Sequence, residues 1–236
     1  MTDSQKVAVI TGASQGIGAG LADAFHHNGY AVVGTSRSIQ PSEESDFLTV
    51  QGDITEADTA ERVMEQALGR FGRIDSLINN AGVFIDKPFT EYTSDDYAAV
   101  TAVNLDGFFH ITQRAIRQMV TQGGGHVVNL TTSLVDQPDS KSPSALTSLT
   151  KGGLAAVTRS LAIEYAPRGV RVNAVALGVI KTPAHDPASY EGIAALHPIG
   201  RVGEISDVVD GILYLERATF VTGEILHIDG GRAAGH

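Results

Sequence analysis

The sequence contains no cysteine and no tryptophan. Without thiols, disulfide staples, thiolate metal sites and cysteine nucleophiles are all excluded. Positive charge is also scarce, with 17 Lys and Arg against 27 Asp and Glu and a formal net charge of -10. A surface of that sign repels phosphate backbones and anionic lipid, and no basic cluster offsets it, so nucleic acid is not an expected partner. Apolar runs stop short of the roughly 18 residues that a membrane-spanning helix needs. The N-terminal stretch enters a strand without a signal-like segment, so the expectation is a soluble, cytoplasmic protein with no membrane partner. The eight histidines form no His-x-His or His-Glu-x-x-His pair; no metal site is expected, and most are read as surface or strand-edge groups.

What is present is a globular balance: 42% hydrophobic against 19% charged residues, enough to bury a substantial core. No linker-like stretch divides the chain, so residues 1–236 are read as one domain. Apolar, β-branched runs at Val7–Thr11, Ala31–Thr35, Phe47–Val50, Ser76–Asn79, His126–Thr131, Arg171–Ala176 and Glu224–Ile228 predict seven strands. Helical spacing predicts Ile17–Asn28, Ala57–Phe71, Ser94–Val120, Ser144–Ala166 and Ile205–Glu216. Strand and helix in alternation, with strands apolar nearly throughout, give an α/β fold: a Rossmann-like, doubly wound parallel sheet with helices on both faces. Ligands of such sheets lie at the carboxyl ends of the strands.

The first strand runs into Thr11-Gly12-Ala13-Ser14-Gln15-Gly16-Ile17-Gly18 and then directly into a helix. Glycines there allow a tight turn, close approach of backbone to a pyrophosphate, and close helix packing, with helix N–H groups aimed at the anion. No Lys-Ser/Thr pair follows, which favours a dinucleotide over ATP or GTP.

These residues resemble the cofactor signature of the short-chain dehydrogenases/reductases, and further family motifs follow in order. Asp53, followed by Ile54, resembles the aspartate near the adenine ring. Asn79-Asn80-Ala81-Gly82 resembles the motif beside the cofactor, and Asn104 the helix asparagine of the catalytic tetrad. Phe220-Val221-Thr222-Gly223 and Ile228-Asp229-Gly230-Gly231 resemble the last strand. The resemblance implies hydride transfer between a nicotinamide and a small or medium carbonyl or alcohol substrate. It also implies a homotetramer or homodimer, built through the long helices and covering Phe108, Phe109, Leu154 and Leu161.

The family's Tyr-x-x-x-Lys pair is broken here. Lys151 is present, but the tyrosine position holds Thr147. An aliphatic hydroxyl lies several pKa units above a phenol and reaches less far, so Thr147 cannot deliver a proton as tyrosine does. Thr132 aligns with the family's substrate-binding serine, with Ser133 one residue on. The proton is then expected from Lys151 through a water, or from Ser133, Ser148, Tyr190 or His185; the alternatives are a substrate that needs no phenol, or a non-catalytic NADP(H)-binding sensor or structural subunit. The resemblance also gives Lys151 a role at the nicotinamide ribose. It places Gly178, Ile180 and Thr182 beside the nicotinamide, with Leu177 replacing the family's proline and a substrate lid at about 179–200. The second strand ends in Ser36, Arg37 and Ser38 rather than in an acid, so NADP(H) is expected in preference to NAD(H).

Overall fold

β1 (Val7–Thr11) is buried at all of its positions, a pattern that only a sheet covered on both faces permits. The computed structural model describes residues 5–183, 188 and 190–235. Among these, β2 (Ala31–Ser36), β3 (Phe47–Gln51), β4 (Ser76–Asn79), β5 (Gly125–Thr132), β6 (Val170–Leu177) and β7 (Ile225–Ile228) join β1 in one parallel sheet of order β3-β2-β1-β4-β5-β6-β7. The helices are α1 (Gly16–His27), α2 (Ala57–Phe71), α3 (Ser94–Thr101), α4 (Phe108–Gln122), α5 (Ala145–Tyr165), α6 (Tyr190–Ala194) and α7 (Ile205–Arg217).

Alternate residues of each strand enter different cores. Val7 and Val9 pack with Val127, Val172 and the α2 and α4 residues Val63, Ile111 and Met119. Ala8 and Ile10 pack on the other face with Leu21 and Phe25 of α1 and Ile212 and Leu215 of α7. The direction of strand addition reverses between β1 and β4, which register as Ile10 opposite Ile78. Such a reversal splays the following loops apart and opens a crevice at the strand ends.

Three details depart from the sequence reading. The predicted helix Ser94–Val120 is two α-helices joined by a π-helical turn, Ala102–Gly107; the extra residue in that turn leaves apolar periodicity outside it intact. The lid region, read as lacking helix, contains the short helix α6. His126 and His197 are buried rather than peripheral.

His126 shows why burial was missed. Its Nδ1 lies 2.7 Å from Glu216 Oε2, and its Nε2 lies 3.0 Å from Asn173 Nδ2. Asn173 also donates to the Val221 carbonyl and accepts from the Glu224 N–H, so its amide orientation is set and its nitrogen is the donor to Nε2. Nε2 is therefore an acceptor, and His126 is neutral with its proton on Nδ1, donated to Glu216. Burial lowers the His126 pKa, opposed by Glu216. Burial alone would raise Glu216, but hydrogen bonds from His126, Ser76 and Tyr30 leave it lowered. A depressed histidine pKa means that the unfolded chain takes up this proton first as pH falls. The contribution to stability is complete above the unfolded value of about 6.5 and is lost as pH falls toward the folded pKa. The urea midpoint is expected to drop between pH 7.5 and 5, and His126→Gln to show a shallower drop; equal slopes would contradict this account.

Candidate active site

At the β1–β4 reversal lies a cleft of about 380 Å³, lined by Gly12, Ser14, Gln15, Gly16, Ile17, Gly18, Ser36, Arg37, Asp53, Ile54, Asn80, Ala81, Gly82 and Thr182. All of these were singled out from the sequence. The lining adds Thr35, Ser38, Gly52, Val83, Val103 and Pro183. Of these, Ser38 was read with Ser36 and Arg37 as part of the cofactor-selecting stretch, whereas Val83 carried no signal.

The cleft's geometry follows from two fixed turns. Gly12 and Gly16 have φ of +68° and +58°, a region that side-chain-bearing residues rarely enter. Thr11 Oγ1 accepts hydrogen bonds from the N–H groups of Asn80 (3.1 Å) and Ala81 (3.0 Å), while Asn80 Nδ2 donates to the Thr11 carbonyl at 2.8 Å. The loop after β4 is thereby stitched to the glycine turn. α1 starts in that turn with no side-chain cap and no acidic residue in its first turn, leaving its orphan N–H groups and positive dipole end for an anion.

Beyond the turn, Ser38 Oγ meets Ser14 Oγ at 3.5 Å and Ser36 Oγ accepts from the Ser38 N–H. Arg37 is exposed there, and among the described residues its guanidinium has no ion-pair partner. Asp53 Oδ1 accepts from the Thr55 N–H and hydroxyl, at 3.0 and 2.9 Å, which holds the carboxylate at the end of β3.

The residues expected to do chemistry lie deeper. Asn104, in the π turn, clamps the loop after β4: its Oδ1 accepts from the Val83 N–H at 2.9 Å and its Nδ2 donates to the Val83 carbonyl at 3.0 Å. Nδ2 also donates to Thr150 Oγ1 on α5, at 3.1 Å. Lys151 lies directly behind the cleft wall, where a Cβ added to Gly82 would stand 3.0 Å from Lys151 Nζ. Its ammonium donates to the Leu130 carbonyl at 2.8 Å. Burial brings its pKa down to about 8.

Thr147, one helical turn before it, shares the buried face of α5. Thr147 Oγ1 and Ser133 Oγ are both enclosed without a hydrogen-bond partner. Buried hydroxyls are ordinarily satisfied, and neither of these two, nor Lys151, lines the cleft itself. Thr132 is half-buried at the end of β5 and accepts from the Leu134 N–H; its own hydroxyl proton is still available to a substrate oxygen.

Not every expected residue joins the cleft. Gly178 and Ile180 line a second hollow of about 200 Å³, with His197, Asp229 and Gly230. Tyr190 is spent on the Thr182 carbonyl, and His185 lies outside the described residues.

The family model described as "Enoyl-(Acyl carrier protein) reductase" matches residues 12–233. The chain belongs to the short-chain dehydrogenase/reductase family. It is an NAD(P)-dependent oxidoreductase by that membership. It is 37% identical over 248 residues to a cis-4-hydroxycyclohexanecarboxylate dehydrogenase from Sinomonas cyclohexanicum, covering 98% of each chain. It is 31% identical over 243 residues to a 3-oxoacyl-(acyl-carrier-protein) reductase of Buchnera aphidicola, again covering 98% of each. Among solved structures, ElxO with NADP bound superposes with a TM-score of 0.91 at 30% identity, covering 98% of this chain and 100% of that one. A 3-ketoacyl-(acyl-carrier-protein) reductase from Brucella melitensis complexed with NADH gives 0.89 at 29%, covering 97% and 98%. The glycine turn, the stitched β4 loop and the uncapped α1 terminus of this member fit a dinucleotide pyrophosphate.

Proposed function

We propose that this short-chain dehydrogenase/reductase prefers NADP(H) and interconverts a small or medium carbonyl compound and its alcohol. One observation carries the cofactor preference: an exposed, uncompensated Arg37 beside Ser14, Ser36 and Ser38, with no carboxylate at the end of β2. A guanidinium meets a 2′-phosphate with a planar, charge-assisted fork, and the hydroxyls add donors. An acid in the Ser36 position would instead select the ribose diol of NAD(H). Arg37→Ala is expected to weaken NADPH binding about tenfold or more while leaving NADH binding nearly unchanged, a loss that matches one charged hydrogen-bonded contact. Fluorescence titration reads both. Tighter NADH than NADPH binding in the parent protein would overturn the preference.

The bound nicotinamide supplies or accepts the hydride. The chain's part is to orient the substrate oxygen and to hold the proton. Thr132 is the candidate donor to that oxygen. Lys151, whose pKa burial brings down to about 8, is, among the described residues, a buried group able to hold a proton near neutral pH and release it. Ser133 and Thr147 are too weakly acidic to originate it, and their enclosed hydroxyls meet neither Lys151 nor another partner, so the proton passes from Lys151 through a water. Asn104 and Gly82 fix the wall behind which Lys151 lies, and the described residues between 179 and 200 are read as the substrate side.

Association into a homodimer or homotetramer belongs to the same reading. Its support is an apolar groove of about 620 Å³ between α4 and α5, lined by Phe108, exposed Phe109, Ile116, Val157 and Leu161. Leu154, expected to share this surface, is instead buried within its own chain. A monomeric mass in light scattering across micromolar concentrations would argue against association.

A further inference from the structure

His197 sits in the second hollow, nearly enclosed, where the end of β6, the helix α6 and the turn after β7 converge. Both ring nitrogens are engaged. The Val179 N–H points at Nε2 from 3.1 Å, and Nδ1 lies 3.1 Å from the Ile193 carbonyl oxygen. A backbone N–H can only donate and a carbonyl can only accept. Nε2 is therefore bare and Nδ1 carries the proton, so both bonds coexist only in this neutral tautomer.

The surrounding backbone is shaped to the ring. A Cβ on Gly178 would stand 2.7 Å from His197 Nε2 and 2.9 Å from Asp229 Cα, and one on Gly230 would stand 3.1 Å from His197 Cβ. Downstream of Val179, Ile180 bridges to Gly203, and the Lys181 N–H donates to the Gly203 carbonyl at 2.8 Å. This short run then delivers Thr182 and Pro183 into the wall of the dinucleotide cleft, with Thr182 packed toward Gly16 of the phosphate turn. The Val179–Pro183 run is thus pinned at its origin by the imidazole and at its end forms the cofactor site.

We infer that His197 is a positioning residue for the cofactor cleft, holding the Val179–Pro183 run against the glycine turn only while its imidazole is neutral. The inference rests on the reading of that cleft as a dinucleotide site. A second proton would have to enter at Nε2, where it meets the Val179 N–H head-on, and the pin would be lost. Burial lowers the His197 pKa; the bond to Ile193 opposes this, Arg232 of the C-terminal turn lowers it further, and Asp229 raises it. Arg201, Asp207 of α7 and His227 of β7 share the hollow, with Arg201 and Asp207 paired to each other at 2.6 Å.

The test compares wild type with His197→Gln, whose amide oxygen accepts from Val179 at every pH. NADPH affinity is measured by fluorescence titration at pH 7.5 and at the lower pH where ¹⁵N NMR without cofactor shows His197 doubly protonated, and the same spectra give its tautomer at pH 7.5. The 2′-phosphate of free NADPH titrates identically whichever protein is present and cancels in the comparison. Wild type is expected to lose about three- to tenfold more affinity than His197→Gln on acidification, the worth of one hydrogen bond, and the NMR spectrum to show Nδ1–H at pH 7.5. Equal losses in the two proteins, or an Nε2–H tautomer, would overturn the inference. Absence of NADPH and NADH binding by wild type at pH 7.5 would instead overturn the dinucleotide reading, while the NMR result would still report whether the pin exists.

Discussion

Gly18→Ala is expected to abolish cofactor binding while leaving the fold in place. The added methyl group would run into the Gly12 carbonyl oxygen and stand 2.6 Å from Asn80 Nδ2. Neither neighbour can yield cheaply. Gly12 is backbone in a left-handed turn, and Asn80 Nδ2 is already donating to the carbonyls of Thr11 and Gly12. The clash must therefore be relieved by opening the glycine turn away from α1, which removes the close approach of backbone to a pyrophosphate. A loss of more than about 100-fold in affinity, or roughly 3 kcal/mol, is expected. Gly69→Ala on α2, where a Cβ meets nothing within 4 Å, is the control and should bind normally. Circular dichroism separates a folded, non-binding Gly18→Ala protein from a misfolded one. Wild-type affinity in Gly18→Ala would remove this turn from the binding site.

The second large effect concerns the proton. Lys151→Met is expected to abolish turnover, because it deletes the buried ammonium and leaves the Leu130 carbonyl without its donor. Thr147→Tyr is expected to raise the reduction of simple activated carbonyls by up to the hundred- to ten-thousandfold that a positioned acid contributes. The new phenol would lie one turn from Lys151 on the buried face of α5. The pH profiles should differ as well. With Lys151 as the proton source, wild-type reduction requires its protonated form, so the rate should hold below about pH 8 and fall above it. In Thr147→Tyr the fall should move to higher pH as a phenol takes over. An unchanged rate and profile in Thr147→Tyr, with normal cofactor binding, would place the chemistry elsewhere.

Much of this was legible in the residues because parallel strands and phosphate turns are encoded locally. Val7–Thr11, Ser76–Asn79 and Ala57–Phe71 have the same bounds in sequence pattern and structure, since apolar runs, helical period and the glycines after Thr11 and Phe71 mark them. Gly12, Gly16 and Gly18 announced the cofactor turn because each meets a local steric requirement that other residues fail. Ser36-Arg37-Ser38 carried a charge signal that depends on position along β2 and not on packing.

What only the tertiary structure decided depends on partners far away in the chain. The π turn that aims Asn104 at the β4 loop left no trace in apolar spacing, because one extra residue in a helix ladder is compatible with either phase of the pattern. His126 and His197 looked like peripheral histidines; they are buried because Glu216 and Asn173, or Val179 and Ile193, satisfy both nitrogens. The enclosure of Lys151, which lowers its pKa toward neutrality, arises from the packing of α5 against β5 and the Gly82 loop. Sequence alone therefore determined the fold, the dinucleotide turn and the loss of the tyrosine. The ionisation states of the buried groups were decided by tertiary packing, because desolvation and hydrogen-bond geometry exist only once distant segments meet.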